Sequence, residues 1–272
     1  MRIAILADIH GNLAAFEAAL EHAADFNVDR IVIAGDIVNG APDSGACWRL
    51  ARSLGCPILR GNHERYVFHF DTPHAPALWS GEQFAPVRWT LSQLTAADRC
   101  DMEALPFSLR LPEAPDLLFV HSSLRSDNDA LAVYTPDAEL EAMFPDVQER
   151  TIVRGHNHAG LVRLWGERRV LTTGSVGLPL DGSPTAQYLL VEDTRDGWKF
   201  QHQSVSYDVE ATKRRFYETG YLEMGGPIAR LFLREVSTAS FQVVPFFRAF
   251  ARWQAEAPIT LSAAVERFLA FV

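Results

Sequence analysis

Short runs of apolar residues, each ending in a polar residue, recur along the chain. They are "RIAILAD" ending at Asp8, "RIVIAGD" at Asp36, "CPILRGN" at Asn62, "LLFVH" at His121 and "TIVRGH" at His156. Continuous β-branched runs of this length predict strands that are buried on both faces. Each polar residue would then lie at the carboxyl end of a strand.

Helical patterns lie between the first three runs. Asn12 is a candidate N-cap for the first helix, and the second spans residues 44–54 and ends before Gly55. The apolar face of the first helix is formed by Leu13, Phe16, Leu20 and Ala23. Strand–helix alternation predicts parallel pairing with right-handed crossovers, so the strand carboxyl ends should face one edge of the sheet, where ligands bind. We therefore expect the five polar residues to meet at one rim, with His10, His63 and His158 nearby.

The pattern changes after the fifth run. The segments "RVLTTGSV", "TAQYLLVED" and "KFQHQSVSYD" are joined by short Gly-, Pro- and Asp-rich turns and predict a second, mostly antiparallel sheet. Residues 64–110 form an aromatic-rich, cap-like insertion that closes with the helical stretch "TAADRCDMEALP". Its aromatic residues form either a small cap core or a platform for a nucleobase.

From Val209 onward the chain is predicted to be helical, and Pro258 interrupts it. The last helix would have an apolar stripe made by Leu261, Val265, Phe268, Leu269 and Val272. We expect a domain at residues 1–207 and a helical extension at 208–272 that packs on that domain or on a partner subunit, with a homo-oligomer as one outcome.

Composition and charge exclude several classes of protein. A formal net charge of −9 without a basic run argues against a groove for a nucleic-acid polymer. Three cysteines without a C-x-x-C pair predict neither a disulfide framework nor a thiolate zinc site. No apolar stretch reaches the roughly 20 residues that span a bilayer. We expect a cytoplasmic protein without a membrane segment.

The rim residues offer two carboxylates, one amide and several imidazoles, which suits manganese, iron, zinc, cobalt or nickel. There are enough donors for two divalent ions, and Asp36, from a mid-sheet strand, is the natural bridge between them. Two ions about 3.5–4 Å apart can hold a hydroxide and clamp phosphoryl oxygens during in-line displacement. The leaving alkoxide then needs a proton, and a histidine is suited to supply it.

The motifs occur in a characteristic order. They are D-x-H (Asp8, His10), G-D (Gly35, Asp36), G-N-H-E (Gly61 to Glu64), a single His121 and G-H-x-H (Gly155 to His158). Over about residues 3–193 the chain resembles the calcineurin-like metallophosphoesterase superfamily. It is most similar to the small bacterial phosphodiesterase branch.

The resemblance implies a four-layer α/β/β/α sandwich, with two mixed sheets flanked by helices, and a role for each motif residue. It implies that Asp8, His10 and His158 hold one ion, that Asn62, His121 and His156 hold the other, and that Asp36 is shared. It also implies that His63 contacts the substrate phosphate and protonates the leaving group.

One departure narrows the function. Protein phosphatases of this superfamily carry G-D-x-x-D-R-G, whereas this chain has "GDIVNG", which argues against protein phosphatase activity. Asn39 replaces their aspartate and can still hydrogen-bond to His63 or to the substrate. Arg65 and Arg125 are further candidates for phosphate binding, with salt bridging as the competing interpretation.

We therefore expect a two-metal hydrolase of a small phosphodiester, with a cyclic nucleotide as one candidate, acting through a metal-bridging hydroxide with His63 as general acid. The alternatives are a phosphomonoesterase or a dinucleoside-polyphosphate hydrolase. A non-catalytic scaffold that retains the fold is the alternative from another class.

Overall fold

The computed structural model describes residues 1–271, so Val272 lies outside the described residues. Within this range the chain forms eleven α-helices and nine strands. The strands are β1 (Arg2–Leu6), β2 (Arg30–Ile33), β3 (Ser108–Leu111), β4 (Ala114–Val120), β5 (Thr151–Arg154), β6 (Gly160–Trp165), β7 (Arg168–Thr173), β8 (Ala186–Thr194) and β9 (Gly197–Val205). The helices are α1 (Leu13–Ala24), α2 (Ser44–Ser53), α3 (Asn62–His69), α4 (Ala85–Ser92), α5 (Ala96–Glu103), α6 (Asp137–Met143), α7 (Val209–Glu218), α8 (Tyr221–Met224), α9 (Gly226–Thr238), α10 (Val243–Glu256) and α11 (Leu261–Leu269).

The strands form two mixed sheets. The first has the order β2-β1-β8-β9, and the second has the order β3-β4-β5-β7-β6. The expected division into one parallel sheet and one later antiparallel sheet is therefore wrong. The strands that precede Asp8 and Asp36 lie in the first sheet, and those that precede His121 and His156 lie in the second. β8 returns to pair antiparallel with β1, and β9 pairs antiparallel with β8. The run "CPILRGN" contributes only the bridge between Ile33 and Ile58.

The burial of alternate residues on the strands explains the four layers. Ile3 and Ile5 of β1 pack in the core between the sheets, whereas Ala4 and Leu6 pack in the core beneath α1 and α2. On β4, alternate apolar residues likewise face the first sheet or the core that contains α6. Successive side chains of a strand point to opposite faces of the sheet, so both faces of β1 and of β4 are covered. The predicted α/β/β/α sandwich is confirmed.

The cap-like insertion is helical, as expected. It contains α3, α4 and α5, with short 3₁₀ helices at Ala77–Ser80 and Glu82–Phe84. Its aromatic residues pack together: Trp79 stacks on Phe84, and Tyr66 meets Trp79 edge to face. These contacts support the cap-core interpretation. The limits of residues 64–110 as an insertion stay a prediction.

The extension after β9 folds into five helices with a core of their own. Phe216, Tyr221, Phe232, Phe246 and Phe268 are among the residues buried there. Pro258 lies in the gap between α10 and α11, as predicted. The core also includes Ala41 and Leu178, so the extension packs on the rest of the chain. The domain limits 1–207 and 208–272 stay predictions, as does a homo-oligomer.

No helix within residues 1–271 is both long enough and apolar enough to cross a bilayer. The cytoplasmic location stays a prediction.

Candidate metal centre

The strand ends of both sheets place the predicted donors in one cluster. Asp8 and Asp36 follow β1 and β2, whereas His121 and His156 follow β4 and β5. Asn62 begins α3. Six residues at this rim have left-handed backbone conformations: Asp8, His10, Asp36, Asn39, His156 and His158. Asp, Asn and His tolerate this region better than other side chains, and backbone strain gathers at functional sites.

The donor atoms fall into two groups that share Asp36. In one group, ligand atoms of Asp8, His10, Asp36 and His158 lie within 4.8 Å of one another. In the other, the same holds for Asp36, His121 and His156. Oδ2 of Asp36 lies 3.8 Å from Nε2 of His10 and 3.3 Å from Nε2 of His121. One oxygen thus faces both groups, which matches the predicted ligand sets; the ligand roles themselves stay predictions.

Backbone carbonyls orient three of the imidazoles. Nδ1 of His10 donates to the Asn39 carbonyl at 2.7 Å, that of His158 to Leu178 at 2.7 Å, and that of His121 to Ala34 at 2.8 Å. A carbonyl can only accept, so each ring carries a proton on Nδ1 and turns its Nε2 toward the cluster. The two Nε2 atoms of His10 and His158 approach to 3.0 Å. Two nitrogen lone pairs that face each other at this distance repel, and a bound cation would relieve this repulsion.

The amide of Asn62 fits the same interpretation. Its Oδ1 lies 3.0 Å from Nε2 of His121 and 3.1 Å from Nδ1 of His156. An oxygen that faces two imidazole nitrogens places acceptors against each other, unless a cation accepts all three lone pairs. The alternative is that the amide is rotated, so that its NH₂ group faces the two nitrogens. The oxygen–nitrogen donor set therefore fits divalent transition metals.

Burial sets the protonation of the cluster. It lowers the pKa of His156 to about 2 and that of His158 to about 4, which keeps both imidazoles neutral and able to bind a metal. It also raises the pKa of Asp8 to about 8, with Asp36 adding to the effect. Burial opposes ionisation of Asp36 too, but His121 and His63 hold the pKa of Asp36 well below its usual range.

His121 behaves in the opposite way. Burial acts to lower its pKa, yet Asp36 and then Asp8 outweigh burial and raise the pKa to about 9. Its proton is thus held by the two carboxylates. A metal ion at this place would supply the same positive charge, because metal binding to imidazole displaces a proton.

His63 stands at the edge of the cluster and faces the cavity. Its backbone N–H donates to Oδ1 of Asp36 at 2.8 Å, and its Nε2 lies 4.0 Å from Oδ2 of that carboxylate. Nδ2 of Asn39 lies 2.8 Å from Nδ1 of His63, so the amide can donate to the ring and leave the proton on Nε2. Burial lowers the pKa of His63.

Glu64 is a positioning residue whose role the motif alone did not reveal. Its carboxylate accepts hydrogen bonds from the backbone N–H groups of Asp36, Ile37 and Gly61 at 2.7–2.8 Å. It therefore ties the loop that carries Asp36 to the start of α3, which carries Asn62 and His63. The sequence signal for this role is the position of Glu64, three residues after Gly61, the N-cap of α3.

Two glycines are needed where segments approach closely. A Cβ on Gly61 would lie 2.1 Å from Oδ1 of Asp36, and one on Gly177 would lie 1.8 Å from the Ile9 carbonyl. The backbone at Gly177 therefore approaches that of Ile9 too closely for any side chain.

The two predicted phosphate-binding arginines are engaged by carboxylates. Arg65 makes a bidentate pair with Asp127 at 2.6 and 3.0 Å. Arg125 pairs with Asp129 and with Glu139. Among residues 1–271, those lining the cavity beside the cluster include Asn39 but neither of these arginines. Substrate binding by Asn39, Arg65 and Arg125 stays a prediction.

A cavity of about 920 Å³ opens from the metal cluster. Its base holds His10, Asp36, Asn62 and His63. One wall comes from the cap, with Tyr66 and Phe84, and another from the extension. The extension contributes Phe232, Glu235, Phe241, Val244, Phe247 and Arg248. Sequence analysis assigned these helices to packing, since they carry no cluster of acids or histidines.

Comparison with known proteins identifies the class. Residues 1–196 match the family model of the calcineurin-like phosphoesterase superfamily domain. The chain belongs to this superfamily and is a metal-dependent phosphoester hydrolase. The predicted resemblance is confirmed.

The chain is similar to proteins of known sequence and of known structure. An uncharacterised protein of Methanocaldococcus jannaschii is 26% identical over 85% of this chain and 97% of its own length. A symmetrical bis(5′-nucleosyl)-tetraphosphatase of Chromohalobacter salexigens is 33% identical, over 44% of this chain and 43% of its own. The crystal structure of a metallophosphoesterase from Sphaerobacter thermophilus is similar with a TM-score of 0.71 and 25% identity, covering 88% of this chain and 99% of the other.

Proposed function

We propose that the protein hydrolyses a small phosphodiester, with His63 as general acid and two divalent ions held by the rim residues. The observation that carries this proposal is the pair of donor groups around one shared oxygen, Oδ2 of Asp36. Asp8, His10 and His158 would hold one ion, and Asn62, His121 and His156 the other. We expect manganese first, and iron, zinc, cobalt or nickel also suit these donors.

When bound, two such ions activate water and neutralise charge on the phosphoryl oxygens. The chain itself supplies the proton for the leaving alkoxide. The Asn39 amide can donate to Nδ1 of His63, which leaves the ring proton on Nε2 for transfer to the leaving group. His63 is held in this place by its backbone hydrogen bond to Asp36.

The cavity favours a diester over a monoester. A monoester dianion carries one more negative charge at the cluster, and neither Arg65 nor Arg125, each already paired with a carboxylate, lines the cavity. A diester carries one charge and two organic groups, and the cavity has apolar side chains on two walls to receive them. The relative named a bis(5′-nucleosyl)-tetraphosphatase supports dinucleoside-polyphosphate hydrolysis as the second candidate.

The test compares leaving groups. Purified protein with Mn²⁺ is assayed on bis-p-nitrophenyl phosphate, p-nitrophenyl phosphate and a 2′,3′-cyclic nucleotide, beside His63→Ala. His74→Ala is the matched control, because His74 is an exposed cap residue outside the cluster. We expect His63→Ala to lose about 10²–10⁴-fold in kcat on the cyclic nucleotide. The loss on the nitrophenyl diester should be smaller, since nitrophenolate leaves with little need of a proton.

An equal loss on both diesters would contradict the general-acid role. Faster turnover of the monoester would contradict the diester assignment. Absence of turnover with Mn²⁺, Ni²⁺, Co²⁺ and Zn²⁺, with metal bound, would contradict the proposed function as a whole.

A further inference from the structure

The helical extension forms part of the cavity that contains the metal cluster. Glu235 of α9 and Arg248 of α10 line the same cavity as His63 and Asp36. The family model ends at residue 196, so these helices lie beyond the part of the chain that defines the superfamily. They contribute to the cavity from outside the superfamily domain.

We propose that the extension selects the substrate: Phe241 packs against a planar group of the phosphodiester, and Arg248 binds a second anionic group on the same molecule. The inference deepens the proposed function and rests on it. The chemical class is a small nucleotide-like diester that carries a further phosphate.

Aromatic side chains line the cavity on two of its walls. Tyr66 and Phe84 line the cavity from the cap, and Phe241 and Phe247 line it from the extension. Phe241 is 50% exposed and lines the cavity, so its ring is accessible to a bound ligand. Aromatic side chains on two walls suit a planar ring, because stacking needs only a π face.

Arg248 of α10 places a guanidinium group at the cavity. Among the described residues that line the cavity, it is the one arginine or lysine. It is exposed, and within residues 1–271 it makes no hydrogen bond or ion pair, in contrast to Arg65 and Arg125. An arginine without a carboxylate partner keeps its planar donor set for a phosphate.

The wall is held in place by hydrogen bonds. The Glu235 carboxylate, 3% exposed, accepts from the backbone N–H groups of Gln242 and Val243 at 2.8 and 2.9 Å. These bonds fix the turn that carries Phe241 into α10. Tyr221 donates to the carbonyl of Gly40 at 2.9 Å, which ties the extension to the loop that carries Asn39. Glu235 and Tyr221 are positioning residues.

The experiment uses two esters that differ by one phosphate. Thymidine 3′-(p-nitrophenyl phosphate) and its 5′-phosphorylated form share the scissile bond and the leaving group. Initial rates with Mn²⁺ are measured on the full chain, on Arg248→Gln and on Arg252→Gln. Arg252 is the matched control, since it is exposed on the same helix and does not line the cavity.

Wild type should prefer the 5′-phosphorylated ester by about tenfold in kcat/KM, the effect of one charge-assisted contact. Arg248→Gln should abolish that preference, and Arg252→Gln should keep it. Equal kcat/KM for the two esters in wild type, or an unchanged preference in Arg248→Gln, would overturn the role of Arg248 and leave the phosphodiesterase proposal standing.

The aromatic contact has a separate readout. Methyl p-nitrophenyl phosphate lacks the nucleoside, so the ratio of kcat/KM between the thymidine ester and the methyl ester measures the planar group. Phe241→Ala should lower this ratio by about tenfold, within the range for one stacked base. Phe271→Ala, at a 78% exposed residue that does not line the cavity, should not change it. An unchanged ratio in Phe241→Ala would overturn this contact.

Turnover of none of these esters would refute the proposed function, and binding would then decide the inference. Thymidine 3′,5′-bisphosphate should bind the wild type about tenfold more tightly than Arg248→Gln, by calorimetry in Mn²⁺. Equal affinity would overturn the inference.

Discussion

The two ends of the cavity are built in different ways. At the metal end, donors follow strands of two sheets directly, and six of the residues there have left-handed backbone conformations. At the other end, side chains project from helices with a separate core. The backbone of the sheets thus fixes the reacting groups, whereas the packing of an added helical layer shapes the space around them. Chemistry and selectivity can then vary independently.

The two ends also handle buried charge differently. At the metal end, Asp36 lies among histidines whose charges compensate it. At the extension end, the Glu235 carboxylate is buried, and its partners among residues 1–271 are backbone N–H groups. Burial raises its pKa to about 7. Substitutions at the two ends should therefore have effects of different size and kind.

The largest effect is expected at the shared carboxylate. Asp36→Asn removes the one charge that both donor groups share, so the bound metal should fall from two ions to at most one per chain by elemental analysis. Turnover of bis-p-nitrophenyl phosphate should fall by at least about 10³-fold, more than for loss of one neutral donor. Asp146→Asn is the control, because Asp146 also has a left-handed conformation but is exposed. Two ions retained in Asp36→Asn would show that the metal end does not depend on this bridge.

An intermediate effect is expected at Glu235, and its sign follows from the raised pKa. The folded state holds this proton up to about pH 7, whereas an unfolded Glu releases it near 4.5. The stability contributed by the protonated form is complete below 4.5 and is lost as pH rises through about 7. Glu235→Gln stays neutral, so relative to wild type it should gain about 3 kcal/mol between pH 4.5 and pH 8.

Urea unfolding of both proteins at several pH values measures this gain. Other buried groups titrate in both and cancel in the difference. Glu256→Gln, at an exposed position of α10, should show no such trend. A stability difference that stays constant with pH would mean that Glu235 is ionised without penalty.

The smallest effect is expected where the two ends meet. Tyr221→Phe leaves the buried carbonyl of Gly40 without its donor, and we expect a loss of about 1–2 kcal/mol in the free energy of unfolding. Tyr217→Phe is the control, since Tyr217 is 65% exposed. An unchanged stability in Tyr221→Phe would indicate that the extension is held by its apolar contacts alone.

The sequence by itself determined most of the metal end. Four of its residues were recognisable because each ends a continuous apolar run that predicts a buried strand: Asp8, Asp36, His121 and His156. Helix α1 followed from its N-cap and apolar face, and the insertion and the extension were both predicted to be helical. These features depend on the spacing of residues that are close in the sequence, so the sequence alone is enough to predict them.

Tertiary structure decided what depends on distant partners. Nothing local to β8 tells whether it pairs with β1 or with β7, so the division of the strands between the sheets was predicted wrongly. The partners of Arg65 and Arg125 lie 62 and up to 14 residues away in the chain. The extension carries no motif, and its place at the cavity results from the burial of an apolar face on Ala41 and Leu178. Burial is not directional, so only the folded chain reveals which surface a helix covers and which side chains it leaves facing the substrate.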